Sequence, residues 1–368
     1  MKYCTSKWIP LLLVLCISFN EVRANTDSTK ATKPTIKWEA YGDFFWAYDN
    51  GFSEGEKRQS FLYNHNRHGK VDLNLGYFKV GINHEKYRAN VSVQTGTYVN
   101  DNYATDHAIL RHFQEANAGF SLNKKRTIWL DAGIFQSHIG FESAVSADNM
   151  NLSRSLLAEN SPYYMAGAKL SYEPNASWKM SASLLNGWQR IQYVAGNSLP
   201  AIGTQVTYTT ESDFLFNWST FIGTVDPDST RRMRYFQNFY GQWKFGKKLK
   251  VIGGFDLGLQ QTAINSSSYH HWFSPVAIAQ YQMNSKLKTA ARIERFADIN
   301  NAHIAPINGK GFDCNGYSIN LDFAPNPNIL LRVETRYLKS TQALFEKNGN
   351  WQNSNFTMLA NLIFKIGS

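Results

Sequence analysis

Residues 329–337 read Ile329-Leu330-Leu331-Arg332-Val333-Glu334-Thr335-Arg336-Tyr337. Every second residue is apolar at Ile329, Leu331, Val333 and Tyr337, and the residues between them include Arg332, Glu334 and Arg336. A period of two is that of an extended chain, in which successive side chains point to opposite faces. This segment is therefore a strand with one apolar and one charged face. Three charges on one face cannot enter a dry core without a large desolvation cost, so that face needs water or partners.

The same alternation runs through the chain. Ile36, Trp38, Ala40, Phe44 and Trp46 oppose Lys37, Glu39, Tyr41 and Asp43, and Tyr87, Ala89, Val91 and Val93 oppose Arg88, Asn90, Ser92 and Gln94. Leu249, Val251, Phe255, Leu257 and Leu259 oppose Lys250, Asp256 and Gln260. The last run sets Phe356, Met358, Leu362, Phe364 and Ile366 against Asn355, Thr357, Asn361 and Lys365. Such runs predict about 16 strands of roughly 10–14 residues. Helical periodicity is confined to a short turn near Leu152–Glu159.

Connections between the runs alternate in length. Short turns fall at Asn83–Lys86, Asn123–Arg126, Glu173–Ser177, Thr209–Asp213, Gly246–Lys248, Met283–Lys286 and Ala324–Asn328. Longer polar loops lie between them, of which Gln136–Pro162 is the third and the longest. Sorting by parity is what an up-and-down antiparallel barrel produces, with turns at one rim and loops at the other. The prediction is an all-β transmembrane barrel, residues 36–368, with short periplasmic turns and long extracellular loops. Trp38, Trp46, Tyr87, Tyr172, Tyr208, Trp243, Tyr281, Phe323 and Tyr337 fall on the outward face, mostly near strand ends. Aromatic girdles at the two membrane interfaces place them there.

Composition agrees. The chain has 368 residues, 43% hydrophobic and 18% charged, with 10 prolines and 25 glycines, which excludes disordered and collagen-like classes. No apolar run of about 20 residues follows the N-terminus, so a helical membrane bundle is excluded while a barrel is not. Residues 1–24 read as a secretory signal peptide. Lys2 and Lys7 precede the apolar run Ile9–Phe19, and Val22-Arg23-Ala24 offers a cleavage site. Losing Lys2, Lys7, Arg23 and Glu21 lowers the net charge from +10 to +8. Residues 25–35 form a polar lead. Of the three cysteines, Cys4 and Cys16 lie in the removed segment, so Cys314 has no partner for a disulfide.

His65-Asn66-Arg67-His68 and His270-His271 suggest metal binding, but adjacent side chains of an extended chain diverge and no carboxylate or cysteine set completes either group. Ser137-His138, and Ser60 with His65, do not make a nucleophilic triad by adjacency alone, and no G-x-S-x-G elbow is present. The reading is therefore of a protein without catalysis, cofactor or metal. Lysines and arginines are scattered rather than gathered with aromatics, which argues against nucleic acid.

Several segments resemble a family of outer-membrane β-barrel porins of Bacteroidetes-type Gram-negative bacteria. They are Phe61-Leu62-Tyr63-Asn64-His65-Asn66-Arg67-His68, Gln94-Thr95-Gly96-Thr97-Tyr98, Asp131 to Glu142, Asp148-Asn149, Arg154-Ser155, Glu159 to Tyr164, and Leu185-Asn186-Gly187-Trp188. The resemblance covers about residues 36–245, the last third matching in pattern. It departs at the C-terminus, where Phe364 is followed by Lys365-Ile366-Gly367-Ser368 instead of closing the chain. It implies a porin-like barrel.

These readings predict an exported outer-membrane channel that contacts lipid, passes small hydrophilic solutes or ions and is able to form a homo-oligomer. The alternative is a surface adhesion or ligand-binding barrel with an occluded lumen. Arg88, Asp256, Arg292, Glu294, Arg332, Glu334 and Arg336 are predicted to line the pore. The Gln136–Pro162 loop is predicted to enter the lumen and constrict it through His138, Glu142, Asp148, Arg154 and Glu159. Arg154 is expected to pair with lumen acids, and Glu142 or Glu159 with lumen arginines.

Overall fold

A computed structural model describes residues 33–51, 57–347 and 349–368. The expected signal peptide and most of the polar lead lie outside these residues. The barrel strands are β1 (Thr35–Asp49), β2 (Val71–Asn83), β3 (Tyr87–Thr95), β4 (Phe113–Ser121), β5 (Ile128–Gln136), β6 (Tyr164–Tyr172), β7 (Trp178–Leu185) and β8 (Ala201–Thr209). They continue as β9 (Phe214–Gly223), β10 (Arg234–Phe245), β11 (Leu249–Gln261), β12 (Tyr269–Gln282), β13 (Leu287–Asp298), β14 (Phe312–Asn326) and β15 (Ile329–Ser340). A hairpin of β16 (Phe345–Lys347) and β17 (Asn350–Gln352) interrupts the last loop before β18 (Ser354–Gly367).

Sixteen of these strands form one closed antiparallel barrel, in which each neighbours its sequence neighbour and β18 returns to pair with β1. Closure leaves no edge strand with unpaired backbone groups, the condition a sheet must meet to sit in hydrocarbon. The connections sort as expected. Seven turns of two to six residues occupy one rim, and eight loops of seven to 27 residues occupy the other. Strands β5 and β6 meet at a cross-strand glycine pair, Gly133 opposite Gly167, with φ of 125° and 150°. A Cβ at either would lie 2.0–2.1 Å from a carbonyl oxygen of the adjoining strand, so only glycine fits.

The faces divide as the alternation dictates. Ile36, Trp38, Phe44 and Trp46, then Leu331, Val333 and Tyr337, then Phe356, Met358, Phe364 and Ile366, all project outward with large exposed apolar surface. The interior is packed. One cluster gathers Phe61, Leu62, Trp188, Phe221, Phe236, Trp272 and Phe312 toward the loop rim, and a second gathers Tyr41, Tyr77, Tyr98, Tyr103 and Tyr164. Most of the apolar residues that the loops carry are sheltered inside the barrel in this way.

Candidate functional site: the lumen and its inward-folded loop

Residues 137–163 leave β5 and run through the interior before rejoining the wall at β6. Their path is fixed by side chains on the inward faces of the strands. At the start, the His138 carbonyl accepts from Gln205 Nε2 (3.0 Å) and Ser219 Oγ (2.7 Å), and its Nε2 pairs with the Thr220 carbonyl (2.8 Å). Gly140 N–H donates to Asn238. Further on, Leu152 N–H donates to Asn320, Ser153 N–H and Oγ–H donate to Glu334 (2.6 and 2.7 Å), and Leu156 N–H donates to Glu294 (2.5 Å). Near the end, Ser161 Oγ donates to Asp256 (2.7 Å). Strands β8 to β11 and β13 to β15 thus hold one loop.

The charged wall of β13 and β15 does most of the holding. Arg292 Nε donates to Glu294 (3.1 Å), Arg336 donates to the same carboxylate (2.7 Å), and Arg292 Nη2 reaches Glu334 (3.2 Å). Arg292 also donates to the Ser153 carbonyl (2.7 Å). Arg332 forms a two-pronged pair with Asp322 (2.7 and 3.0 Å) and reaches three loop carbonyls, Ser146 (2.5 Å), Asn149 (3.0 Å) and Met150 (3.1 Å). Each buried charge therefore has an opposite charge and hydrogen bonds, the arrangement that offsets desolvation.

The expectation that these charges stand free in a wet lumen differs from what the structure places there. Asp256, Arg292, Glu294, Arg332, Glu334 and Arg336 do face inward, but at 0–3% exposure they lie under the loop. The reason is the loop backbone. Once inside, its N–H and C=O groups need partners, and the wall charges supply them. Arg88 is different. It pairs with Asp131 (2.7 Å), lies 4.4 Å from the Trp129 ring and keeps 29% of its side chain accessible to an internal cavity.

Of the three expected pairings, one forms at long range and two are corrected. Among the described residues Arg154 makes no ion pair; it donates to the carbonyls of Ser143 (2.7 Å), Leu152 (2.7 Å) and Ala144 (2.5 Å) and so curls the loop on itself. Glu142 pairs with Arg292 at 4.0 Å and accepts mainly from Ser155, the N-cap of the short helix Leu156–Glu159. Glu159 accepts from Tyr63 N–H (2.8 Å) and Asn64, joining this loop to the first one rather than to a wall arginine. Burial pushes the carboxyls of Glu142 and Glu159 above their usual range, with Arg292 and the Tyr63 amide respectively opposing it. Burial also lowers the His138 imidazole to about 4, which keeps it neutral. Asp148 remains half exposed, 3.0 Å from Lys365.

A second hub went unread in the sequence. Asp43 on β1 is fully buried and accepts from Asn361 (2.8 Å) and Asn74 (3.1 Å), with His65 Nε2 at 2.8 Å. Nearby, Asp49 takes Arg58 Nε at 2.9 Å. These pairs draw the first loop into the barrel mouth beside the third. The signal available was Asp43 on an inward face and His65 in a family-like segment, but nothing local said that they meet.

Open space remains around the inward loop. On the turn side are cavities of about 500 Å³, lined by Lys250, Lys286, Lys288, Gln280 and Asp148, and about 520 Å³, lined by Lys79, Arg88, Glu115, Asp131, Lys169 and Lys179. On the loop side one of about 460 Å³ is lined by Glu159, Trp188, Gln189, Arg234 and His303. A smaller chamber of about 220 Å³ lies along the loop, lined by Tyr98, Tyr103, Tyr163 and Tyr240. It shares Gln136 and Ser137 with one turn-side cavity, and Phe141 and Glu142 with the other.

Comparison with known proteins adds the following. The family model described as "Putative beta-barrel porin-2, OmpL-like" matches residues 35–366. No curated protein matches the chain in sequence. Among solved structures, an anion-selective porin from Comamonas acidovorans is similar with a TM-score of 0.61 at 8% identity, covering 91% of this chain and 100% of that one. The outer membrane channel DcaP of Acinetobacter baumannii gives 0.59 at 10% identity, covering 91% and 99%. The trimer form of OmpT from Vibrio cholerae gives 0.59 at 9%, covering 91% and 100%. At these identities the likeness is one of fold.

Proposed function

We propose, from the premise that this chain belongs to the β-barrel porin-2, OmpL-like family, that it is an outer-membrane channel for passive diffusion of small hydrophilic solutes or ions. The observation that carries the reading is the third loop, held inside a closed barrel between cavities that reach toward both rims. A strand lattice with an apolar outer face and a polar, loop-narrowed interior suits a lipid-embedded pore. In this reading the turns face the periplasm, the loops face outward and a cleaved signal peptide delivers the chain. The tyrosine-lined chamber in this reading carries the passage beside the loop, and Arg88 lines one of the turn-side cavities that adjoin it. Arg292, Glu294, Arg332, Glu334 and Arg336 act on permeation through the loop they hold. Neither catalysis, cofactor nor nucleic acid has a part in this reading, and a homo-oligomer is consistent with the trimeric structural neighbour.

Purified, folded protein in a planar bilayer should give stepwise conductance. A folded barrel that never conducts would remove the channel reading. It would favour a ligand-binding surface barrel with an occluded lumen, a second reading that the dense packing of residues 137–163 supports.

A further inference from the structure

The Leu185-Asn186-Gly187-Trp188 segment, prominent in the sequence, closes β7 and opens the loop after it. Trp188 packs edge-on against Phe221 (5.1 Å) and Phe236 (4.8 Å) at the loop-side rim. Between its ring and that of Trp272 sits the guanidinium of Arg234, 5.0 Å from one centroid and 5.2 Å from the other. Arg234 is 7% exposed, and among the described residues its only side-chain hydrogen bond is from Nε to Gln260 (2.9 Å). Among the described residues no carboxylate lies within 4 Å of it. The acids whose fields reach it are engaged elsewhere. Asp226 is held by Arg232 (2.8 Å), and Asp298 accepts from the amides of Ala302, His303 and Ile304.

A buried arginine normally has a partner, because an uncompensated charge at low dielectric is costly. Here the two terminal nitrogens are left for the loop-side cavity of about 460 Å³ that Arg234 lines. Two carboxylates also line the cavity, but both are engaged, Asp101 by Lys57 and Arg67 and Glu159 by the Tyr63 amide and Asn64. The rest of the wall suits an organic anion. Arg190, at the same cavity, donates to the Thr105 carbonyl and makes no ion pair among the described residues, which adds positive potential. Phe61, Trp188 and Ile304 offer apolar surface, and Asn160 and Gln189 offer hydrogen bonds. His303 stacks on Trp272 (4.9 Å, 15°), and its Nδ1 is buried with no hydrogen-bond partner among the described residues. Gly258 is what lets Trp272 lie flat beneath the arginine, since a Cβ there would come within 2.0 Å of the indole.

We infer that this cavity is a binding subsite for a small organic carboxylate. The carboxylate bonds side-on to the Arg234 fork, as planar guanidinium geometry favours, and its apolar body rests on Trp188. The cavity volume falls in the range of small-molecule sites. This rests on the channel reading for its role as a capture point at the outer mouth, but binding itself does not require conduction.

The test is calorimetric titration of the full-length protein, folded in detergent, with sodium benzoate and with benzamide, its neutral near-isostere. Benzoate should bind and benzamide should bind roughly tenfold to a hundredfold more weakly, the range for a hydrogen bond to a charged group. Arg234→Gln should weaken benzoate by a similar factor and leave benzamide little changed. Trp188→Leu, in a loop outside the strands, should weaken both. Equal affinities of the two probes for the unsubstituted protein, no benzoate binding, or full benzoate binding by a folded R234Q variant would each overturn the inference. The comparison of the two probes needs no variant, so misfolding cannot obscure it. Planar-bilayer recording separates the two readings. Charge-dependent binding without conductance ends the channel reading alone, and conductance without such binding ends the subsite alone.

Discussion

Replacing Arg332 by alanine removes the largest single tie between the barrel wall and the third loop. Its guanidinium spans Asp322, at 2.7 and 3.0 Å, and the carbonyls of Ser146, Asn149 and Met150 at 2.5, 3.0 and 3.1 Å. Hydrogen bonds to a charged donor are worth about 1.5–3 kcal/mol each, but they share one side chain and do not add. Removing one partner of a buried pair costs about 3–5 kcal/mol, and that is the better figure here. It corresponds to a shift of roughly a hundredfold to several thousandfold in the balance between anchored and released loop, at about 1.4 kcal/mol per decade. Other anchors remain, with Glu334 on Ser153 and Glu294 on Leu156. The loss should therefore fall on residues 145–150 rather than the whole loop. None of the ladder bonds between β14, β15 and β18 involves the side chain, so the barrel should form. In planar bilayers Arg332→Ala should show a larger and noisier single-channel conductance than the parent, and thermolysin should cut within residues 145–150. Adding Asp322→Asn should relieve part of the damage, because the aspartate would no longer be left without its counter-charge. A folded R332A barrel with unchanged conductance, noise and proteolysis would refute the account of the loop as held by this arginine.

Deleting residues 145–155 should raise conductance further and admit larger solutes, and an unchanged size limit in a liposome-swelling assay would place the narrowest point elsewhere. Leu331→Arg or Val333→Arg, on the exposed outward face, should destabilise the barrel by about 2–4 kcal/mol near the midplane, read as a lower urea midpoint in lipid vesicles. Asp101 gives a pH dependence. Burial raises its carboxyl, but hydrogen bonds from Lys57, Arg67 and Asn66 outweigh that and hold it below 3.8. Its contribution is therefore present above 3.8 and lost as pH falls through the lower folded value. The contact between the first and second loops should loosen as pH drops below 3.8, and Asp101→Asn should loosen it at neutral pH. Protease cleavage of the first loop reads both.

The alternation of Leu331, Arg332, Val333 and Glu334 and the parity of the connections were enough to deduce an antiparallel barrel of about 16 strands, the faces of those strands and the rim that carries the loops. Those features are set by the two-residue period of an extended chain and by local turn lengths, so they are written in residues that are near neighbours. The charged face of β13 and β15 was legible as an inward face for the same reason. What that face does was not. A strand pattern shows that Arg292, Arg332 and Glu334 need water or partners, and it cannot choose between them. The choice was made by residues 137–163, whose amides and carbonyls reach those charges only after the chain has closed on itself and brought Ser146 within 2.5 Å of Arg332, 186 positions away. The Asp43 and His65 pair, the isolation of Arg234 between Trp188 and Trp272, and the inward turn of Arg154 onto its own loop belong to the same class. Each depends on which buried group lacks another partner, a question that only the assembled interior answers.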